Sequence, residues 1–200
     1  MRNDFSRAVE LDRRVYEAGL ALVRRTTRAD LVRPTPCAGW TLADLIEHMT
    51  AQNHGFAAAA RGAGADEEVW HGGPLGDDPA ATYAASVADV TTAFADADAD
   101  APFVLGDIRP DPFPAPQAVG MHLVDGVAHG WDVAKALGLP FDLDDDALAA
   151  GWQVASAVPD GEFRTAPGSP FAPAVHVDES APALDRIVAV LGRSPAWTAG

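Results

Sequence analysis

The chain has 200 residues, a formal net charge of −15 and a single cysteine, and 48% of its residues are hydrophobic. This length predicts one domain with a substantial hydrophobic core, and the apolar content excludes general disorder. The negative charge argues against nucleic acid and anionic membrane surfaces as partners, because both would repel the chain. Cys37 excludes an intramolecular disulfide and any structural metal site that needs several thiolates. Neither a signal-peptide core nor a long apolar run is present, so we expect a cytoplasmic protein.

The first two predicted elements are helices. Apolar residues at helical spacing predict a first helix over about residues 4–29. Thr41 followed by Asp44 has the pattern of a capping box, with aspartate in the usual place of glutamate. A second helix is therefore predicted from Leu42 to about Arg61.

A glycine-rich loop separates the second helix from a third. Pro79 suits the first turn of that third helix, which the apolar pattern continues through Phe94. The segment 102–116 holds five prolines and is predicted to be an irregular crossover. The fourth helix is predicted over residues 115–137, because Gly138 and a following proline form a typical helix ending.

The remaining third of the chain predicts a smaller helical region. One helix is expected over residues 144–158, a short extended piece over 174–177, and a last helix over 182–191. We expect a four-helix bundle in residues 1–140 and an extension in residues 141–200 that packs on it.

The fourth predicted helix carries the most informative residues of the chain. At about 100° per residue, one narrow side of it presents His122, Asp125, His129 and Asp132. An aspartate followed four residues later by a histidine places a carboxylate and an imidazole one turn apart, which suits chelation of one divalent metal ion. A third ligand must come from another helix, and His48 is well placed to supply it.

An alternative interpretation buries the apolar side of this helix and leaves the polar stripe in water. Two features favour the metal interpretation: the stripe contains no lysine or arginine, and the small residues Gly126 and Ala136 flank it. His48 lies beside an apolar face, where an unpaired imidazole would be unfavourable. For His48 taken alone, a hydrogen-bonded core histidine is the commoner outcome.

Two imidazoles and one carboxylate form a three-ligand site with open coordination positions. Such a site suits a water molecule or a substrate thiol better than a closed structural zinc. The ligand set fits Zn²⁺, Ni²⁺ or Fe²⁺, of which we expect Zn²⁺. Asp132 or His122 would then lie beside the ligands and orient one of them or accept a proton. Cys37 has no histidine or lysine next to it in the sequence, so we expect it to shape the turn with Trp40.

Several segments resemble one known family. Residues 35–41 (Thr-Pro-Cys-Ala-Gly-Trp-Thr), leading to Asp44 and His48, resemble a segment of the mycothiol-dependent maleylpyruvate isomerase-like proteins. These proteins belong to the DinB-like superfamily of metal-binding four-helix bundles. Residues 129–132 resemble that family's last bundle helix, and the tail over 181–197 is typical of its short actinobacterial branch. The resemblance implies an all-α, DinB-like four-helix bundle with a small, mostly helical C-terminal extension.

The resemblance also implies a ligand set and a chemistry. The family's first metal histidine falls on His48 and its last on His129, and the middle ligand falls on Asp125. Aspartate is shorter than the family's usual glutamate or histidine, so His122 is the rival for this position. Members of this type bind the thiol of a low-molecular-weight cofactor, mycothiol in actinobacteria, on the metal. A metal-dependent enzyme is implied that uses mycothiol for S-transfer to, or isomerisation of, a small electrophile.

Other assignments are less specific. Arg164 or Arg186 is a candidate to bind a substrate carboxylate, and the sequence assigns no catalytic residue. Two alternatives to the thiol-dependent enzyme are a non-catalytic metal- or ligand-binding bundle and a pathway-specific enzyme with diverged, thiol-independent chemistry. The expected partners are a small substrate and a thiol, with no nucleic acid and no membrane, and the chain is expected to be a monomer or a homodimer.

Overall fold

The computed structural model describes residues 2–166 and 168–199, the first two of them by backbone only. Four long helices form the body of the molecule: α1 (Arg2–Val23), α2 (Leu42–Ala60), α3 (Pro79–Asp96) and α4 (Ala115–Leu137). Both α1 and α2 pack against α3 and α4, so α1 and α2 face each other across the bundle. The predicted all-α four-helix bundle is confirmed. Within the described residues, no helix combines the length and apolar character needed to cross a membrane.

The bundle helices begin and end where the sequence supplies caps. The Thr41 hydroxyl accepts the N–H of Asp44 at 3.3 Å, and the Asp44 carboxylate accepts the N–H of Thr41 at 2.8 Å. This capping box fixes the start of α2 as predicted. Asp78 accepts the N–H of Ala81 and caps α3. α4 ends at Leu137, and the following Gly138 has a φ of +67°, in the left-handed region that glycine adopts without strain.

The first helix is shorter than predicted and ends at Val23 rather than near residue 29. The N–H and the hydroxyl of Thr27 both donate to the carboxylate of Asp30, at 2.9 and 2.6 Å. These local hydrogen bonds form a turn that competes with continuation of the helix, and a single 3₁₀ turn over Asp30–Val32 follows it.

The predicted irregular crossover between α3 and α4 is wrong in its centre, where two short strands form an antiparallel hairpin. The strands are β1 (Phe103–Leu105) and β2 (Arg109–Phe113), and Phe103 pairs with Phe113. The buried aromatic rings of this pair pack between α2, α3 and α4 and stabilise the hairpin. Prolines are tolerated in β2 because the two-stranded sheet consists only of edges, where an N–H has no obligatory partner.

Two further helices, α5 (Asp145–Ala155) and α6 (Ala183–Val190), lie in the C-terminal region, whose other described residues are mostly irregular. α5 packs on α1 and α4, and α6 packs on α5 and α4. Ile187 is fully buried in the resulting apolar cluster. The extended piece expected over 174–177 forms no strand, although the N–H of Val175 donates to the carbonyl of Ala189 at 2.9 Å. The domain division at residue 140 stays a prediction.

Candidate metal centre

His129 on α4 lies between two carboxylates of the same helix. Its Nε2 is 3.3 Å from Oδ1 of Asp125, and its Nδ1 is 3.0 Å from Oδ2 of Asp132. The i, i+4 and i, i+3 spacings bring both acids to the side of the helix that carries the imidazole. The histidine is only 6% exposed and Asp132 is fully buried, so bulk water does not compete for the contact between them, whereas the side chain of Asp125 is partly exposed.

His48 on α2 approaches the same imidazole from the neighbouring helix. The two imidazole rings meet edge to face, with centroids 5.0 Å apart. One ligand atom from each of His48, Asp125 and His129 lies within 4.8 Å of the other two. The structure therefore brings together the three residues that the sequence predicted as metal ligands. Two imidazole nitrogens and one carboxylate oxygen at this separation suit a divalent ion with open coordination positions.

His48 also lines an open cleft with a volume of about 510 Å³. Residues spaced at helical intervals on α2 form one wall of it, because they share one face. The centroids of the Trp40 and His48 rings are 4.9 Å apart. The residues that line the cleft are Gly39, Trp40, Asp44, Glu47, His48, Ala51, Trp70, His71 and Gly72. The cleft gives a small molecule access to the His48 end of the ligand group.

The carboxylates determine the charge of His129. Burial lowers the pKa of His129, but the charge of Asp125 and hydrogen bonds with Asp125, Asp132 and Cys37 outweigh burial, so this pKa is raised well above 6.5. Burial raises the pKa of Asp125. The positive charge of His129 and the hydrogen bond that it donates lower this pKa more, so it falls well below its usual range. The protonated imidazole thus balances one of the two negative charges when no other cation is bound, and the guanidinium of Arg193 beside Asp132 balances the other.

The pKa of His48 is shifted in the opposite direction from that of His129. Burial lowers the pKa of His48, and the neighbouring charges of His129 and Arg193 lower it further, against the opposing effect of Asp125. His48 is therefore neutral near pH 7 and offers a nitrogen lone pair, which is the form that binds a metal ion.

Asp132 is the centre of a second group of contacts behind His129. Three donors converge on its Oδ2: His129 Nδ1 at 3.0 Å, Cys37 Sγ at 3.2 Å and Arg193 Nη2 at 3.1 Å. Burial raises the pKa of Asp132, but the charge of Arg193 and the hydrogen bond from His129 lower it more, so this pKa is lowered. Asp132 is thus a buried, charged acceptor beside a candidate metal ligand, in the position expected of a residue that orients a ligand.

Cys37, His129 and Asp132 also have ligand atoms within 4.8 Å of one another. The guanidinium of Arg193 already contacts Asp132, and its Nη2 lies 3.8 Å from the Cys37 sulfur. A positive side chain in that position repels a second cation. The group formed by His48, Asp125 and His129 is therefore the better candidate for a metal site.

The structure does not bring His122 to this centre. Its Nδ1 lies 2.8 Å from Asp12 and its Nε2 lies 3.1 Å from Asn53, so both ring nitrogens have partners. Its ring stacks on Tyr16 with centroids 4.1 Å apart, and the residue is fully buried. The amide of Asn53 in turn donates to Ser86 at 2.9 Å. The polar stripe of α4 thus faces the protein interior, and its first histidine belongs to a separate buried network.

Neither arginine expected to bind substrate lies at the centre. Arg164 is 3% exposed, and its Nε lies 3.4 Å from Oδ1 of Asp160. Its guanidinium also donates to backbone carbonyls of the C-terminal region, those of Val158, Pro159, Ala172 and Val190. The guanidinium of Arg186 lies over the Trp152 ring, 4.5 Å from its centroid. Both side chains hold the extension together, which corrects their expected role in binding a substrate carboxylate.

Sequence reasoning missed the contacts of Cys37 and Arg193. Cys37 forms the expected turn, since its carbonyl accepts the N–H of Trp40 at 3.0 Å, but its sulfur also reaches Asp132. The histidine that the Cys37 sulfur approaches, His129, is 92 positions away in the chain, and Arg193 is 61 positions from Asp132. No local spacing rule connects residues so far apart, so only the packing of helices could reveal these contacts.

One family model and relatives from two bacterial strains match the chain. The family model described as "Mycothiol maleylpyruvate isomerase N-terminal domain" matches residues 13–134, which include the three candidate ligand residues and Asp132 but not Arg193. Relatives from two strains of Mycobacterium tuberculosis, both named as uncharacterized proteins, are 32% identical over 192 residues. The aligned region covers 90% of this chain and 94% of each relative. No solved structure matches the chain.

Proposed function

Because the chain belongs to the mycothiol maleylpyruvate isomerase N-terminal domain family, we propose that it is a metal-dependent enzyme that uses mycothiol on a small electrophile. The reaction is S-transfer to the electrophile or its isomerisation. One observation carries the proposal: ligand atoms of His48, Asp125 and His129 lie within 4.8 Å of one another, and His48 lines a cleft.

The chain's own residues prepare this site for a cation. His48 is neutral because burial lowers its pKa, and His129 presents Nε2 to the same space while Asp132 holds its other nitrogen. Asp125 keeps a negative charge that partly balances a divalent ion. A bound divalent ion lowers the pKa of a coordinated thiol, so that a thiolate is available near neutral pH. We expect Zn²⁺, with Ni²⁺ or Fe²⁺ as alternatives for the same ligand set.

The cleft indicates which electrophiles fit. The indole of Trp70 forms a fixed wall, since its Nε1–H donates to the carbonyl of Gly64 at 2.9 Å. Asp44 and Glu47 contribute carboxylates, and the lining residues in the described part of the chain include no lysine or arginine. A negatively charged substrate would therefore be repelled. We expect a neutral electrophile rather than a dicarboxylate.

The test is a titration of the cobalt-substituted protein with mycothiol. Coordination of a thiolate to Co²⁺ produces a sulfur-to-metal charge-transfer absorption band in the near ultraviolet. The band is expected with the parent protein and with His54→Ala, because His54 is an exposed histidine whose nearest acidic partner is Asp89. It is expected to be absent with His129→Ala, which removes a ligand.

The other outcomes distinguish the alternatives. A protein that retains its metal but shows neither the band nor mycothiol-dependent turnover would be a non-catalytic binding bundle. A protein that keeps its activity after the metal is removed would be an enzyme with thiol-independent chemistry. Either result would overturn the proposed function.

A further inference from the structure

Arg193 follows α6 and is directed back toward α4 by a glycine turn. Gly192 has φ of +88°, and a Cβ at this position would lie 2.4 Å from the carbonyl oxygen of Ala172. The backbone N–H of Arg193 donates to the carbonyl of Val188 at 2.9 Å, which closes the turn. Only glycine fits this close approach without a backbone shift, so the turn fixes where the arginine side chain begins.

The side chain of Arg193 then reaches Asp132 through the packed interface between the extension and the bundle. Its Nη2 lies 3.1 Å from Oδ2 and its Nε lies 3.5 Å from Oδ1 of Asp132. Two nitrogens of one rigid guanidinium thus face the two oxygens of one carboxylate. The arginine side chain is 11% exposed, and the ammonium of Lys135 donates to the carbonyl of Pro195 at 2.8 Å, which anchors the tail beside it.

We propose that Arg193 is a positioning residue for the metal centre: it fixes Asp132, which fixes the His129 imidazole with Nε2 directed at His48 and Asp125. The inference rests on the proposed metal site, but it concerns a residue beyond residues 13–134, where the family match ends. It makes the C-terminal extension part of the functional site.

The reason is the balance of contacts around His129. Carboxylates lie at both nitrogens of its ring, at 3.3 Å from Nε2 and 3.0 Å from Nδ1. The Nδ1 contact must hold if Nε2 is to stay available for a metal ion. Without Arg193, Asp132 would be a buried carboxylate that loses its only guanidinium partner within the described residues, and its side chain would reorient. The ligand ring would then lose its fixed orientation.

The first measurement compares the Zn²⁺ affinity of three variants with the parent by competition with a chelator. Arg193→Ala is expected to weaken binding about 10- to 100-fold, the usual effect of removing an outer contact of a ligand histidine. Arg193→Lys is expected to recover part of the loss, because an ammonium can still pair with Asp132. Arg186→Ala is the matched control, because it removes the same charge from the same extension. The native Arg186 contacts Trp152, not Asp132, so this variant is expected to bind Zn²⁺ like the parent.

A double-mutant cycle tests the route. Asp132→Asn alone is expected to weaken Zn²⁺ binding, and adding Arg193→Ala is expected to cause no further loss, because the arginine acts through that carboxylate. Full additivity of the two losses would show that Arg193 acts by another route and would overturn the proposal.

A second readout needs no metal. In the parent, the Nδ1–H of His129 is held by Asp132 and is expected to give a slowly exchanging, downfield imidazole proton signal by NMR. The signal is expected to disappear in Arg193→Ala and to persist in Arg186→Ala. If the parent bound no Zn²⁺, the proposed function would fail while this signal still tested the arginine contact. Unchanged affinity or an unchanged signal in Arg193→Ala would contradict the inference.

Discussion

Two histidines on α4, His122 and His129, lie two turns apart and have different surroundings. Each has its Nδ1 within hydrogen-bond distance of a carboxylate, at 2.8 Å in the first case and 3.0 Å in the second. The Nε2 of His122 faces Asn53 in a fully buried network. The Nε2 of His129 faces Asp125, with His48 and the cleft beyond it. The surroundings of Nε2 therefore distinguish the histidine that belongs to the core from the one that belongs to the candidate metal site.

The carboxylates beside the two histidines also differ, in the direction in which their pKa values are shifted. Burial raises the pKa of Asp12 beside His122 more than the histidine lowers it. The pKa values of Asp125 and Asp132 beside His129 are lowered, because the charges of His129 and Arg193 outweigh burial. The His129 region thus keeps its carboxylates charged in the interior, and charged carboxylates are what a bound cation requires.

The largest expected effect on stability comes from removing His122 from its buried network. His122→Ala would leave Asp12 and Asn53 without a buried partner and would create a cavity among aromatic rings. We expect the free energy of unfolding of the metal-free protein to fall by about 3–5 kcal/mol, measured by urea denaturation.

The same variant separates the two histidines functionally. The folded fraction of His122→Ala is expected to bind metal with parental stoichiometry, whereas exposed His54→Ala should change neither stability nor binding. A folded His122→Ala protein that has lost its metal would place His122 among the ligands and would remove the distinction between the two regions.

The next effect concerns the third ligand. Asp125→Ala is expected to weaken Zn²⁺ binding by more than about 100-fold, because a direct ligand contributes more than the outer contacts that change affinity about 10- to 100-fold. Competition with a chelator measures the change. Parental affinity in Asp125→Ala would exclude this carboxylate from the site.

The pH dependence of metal binding tests whether His129 carries a proton. The raised pKa of His129 means that its ring carries a proton at pH 7, and a metal ion can bind Nε2 only after that proton leaves. Below this pKa, Zn²⁺ affinity is therefore expected to rise about tenfold per pH unit, from the release of one proton, and to level off above it. Calorimetry in buffers of different ionisation enthalpy would detect the released proton. Affinity independent of pH would contradict the assignment of a protonated His129.

The smallest expected effect belongs to Cys37. Cys37→Ser is expected to change Zn²⁺ affinity by less than about threefold, because a hydroxyl can donate to Asp132 in place of the thiol. A much larger loss would mean that sulfur is itself a ligand and that the ion lies among Cys37, Asp132 and His129.

Much of the fold could be predicted because its signals are local. The capping box at Thr41, the proline at the start of α3 and the glycine after α4 each specify a helix boundary within one turn. The crossover hairpin was missed because its prolines lie on exposed edge positions, where they do not break pairing. The end of α1 was missed because hydrogen bonds from Thr27 to Asp30 form a turn where the apolar pattern predicted further helix.

The candidate site was only partly accessible to such reasoning. The spacing of Asp125 and His129 on one helix is visible in the sequence, and family resemblance adds His48. Spacing places His122 on the same stripe, yet its partners Asp12 and Asn53 come from α1 and α2 and carry no sequence signal. Arg193 is likewise supplied by tertiary packing alone.

Metal analysis shows whether His48 and His129 hold an ion. The parent protein is purified without a histidine tag and compared with His48→Ala, His129→Ala and His54→Ala. We expect one equivalent of divalent metal in the parent and in His54→Ala, and none in the other two variants, because two remaining ligands do not retain a labile ion. A parent that stays metal-free after incubation with zinc, nickel and iron salts would rule out the metal site, and full metal content in His48→Ala or His129→Ala would rule out these ligands.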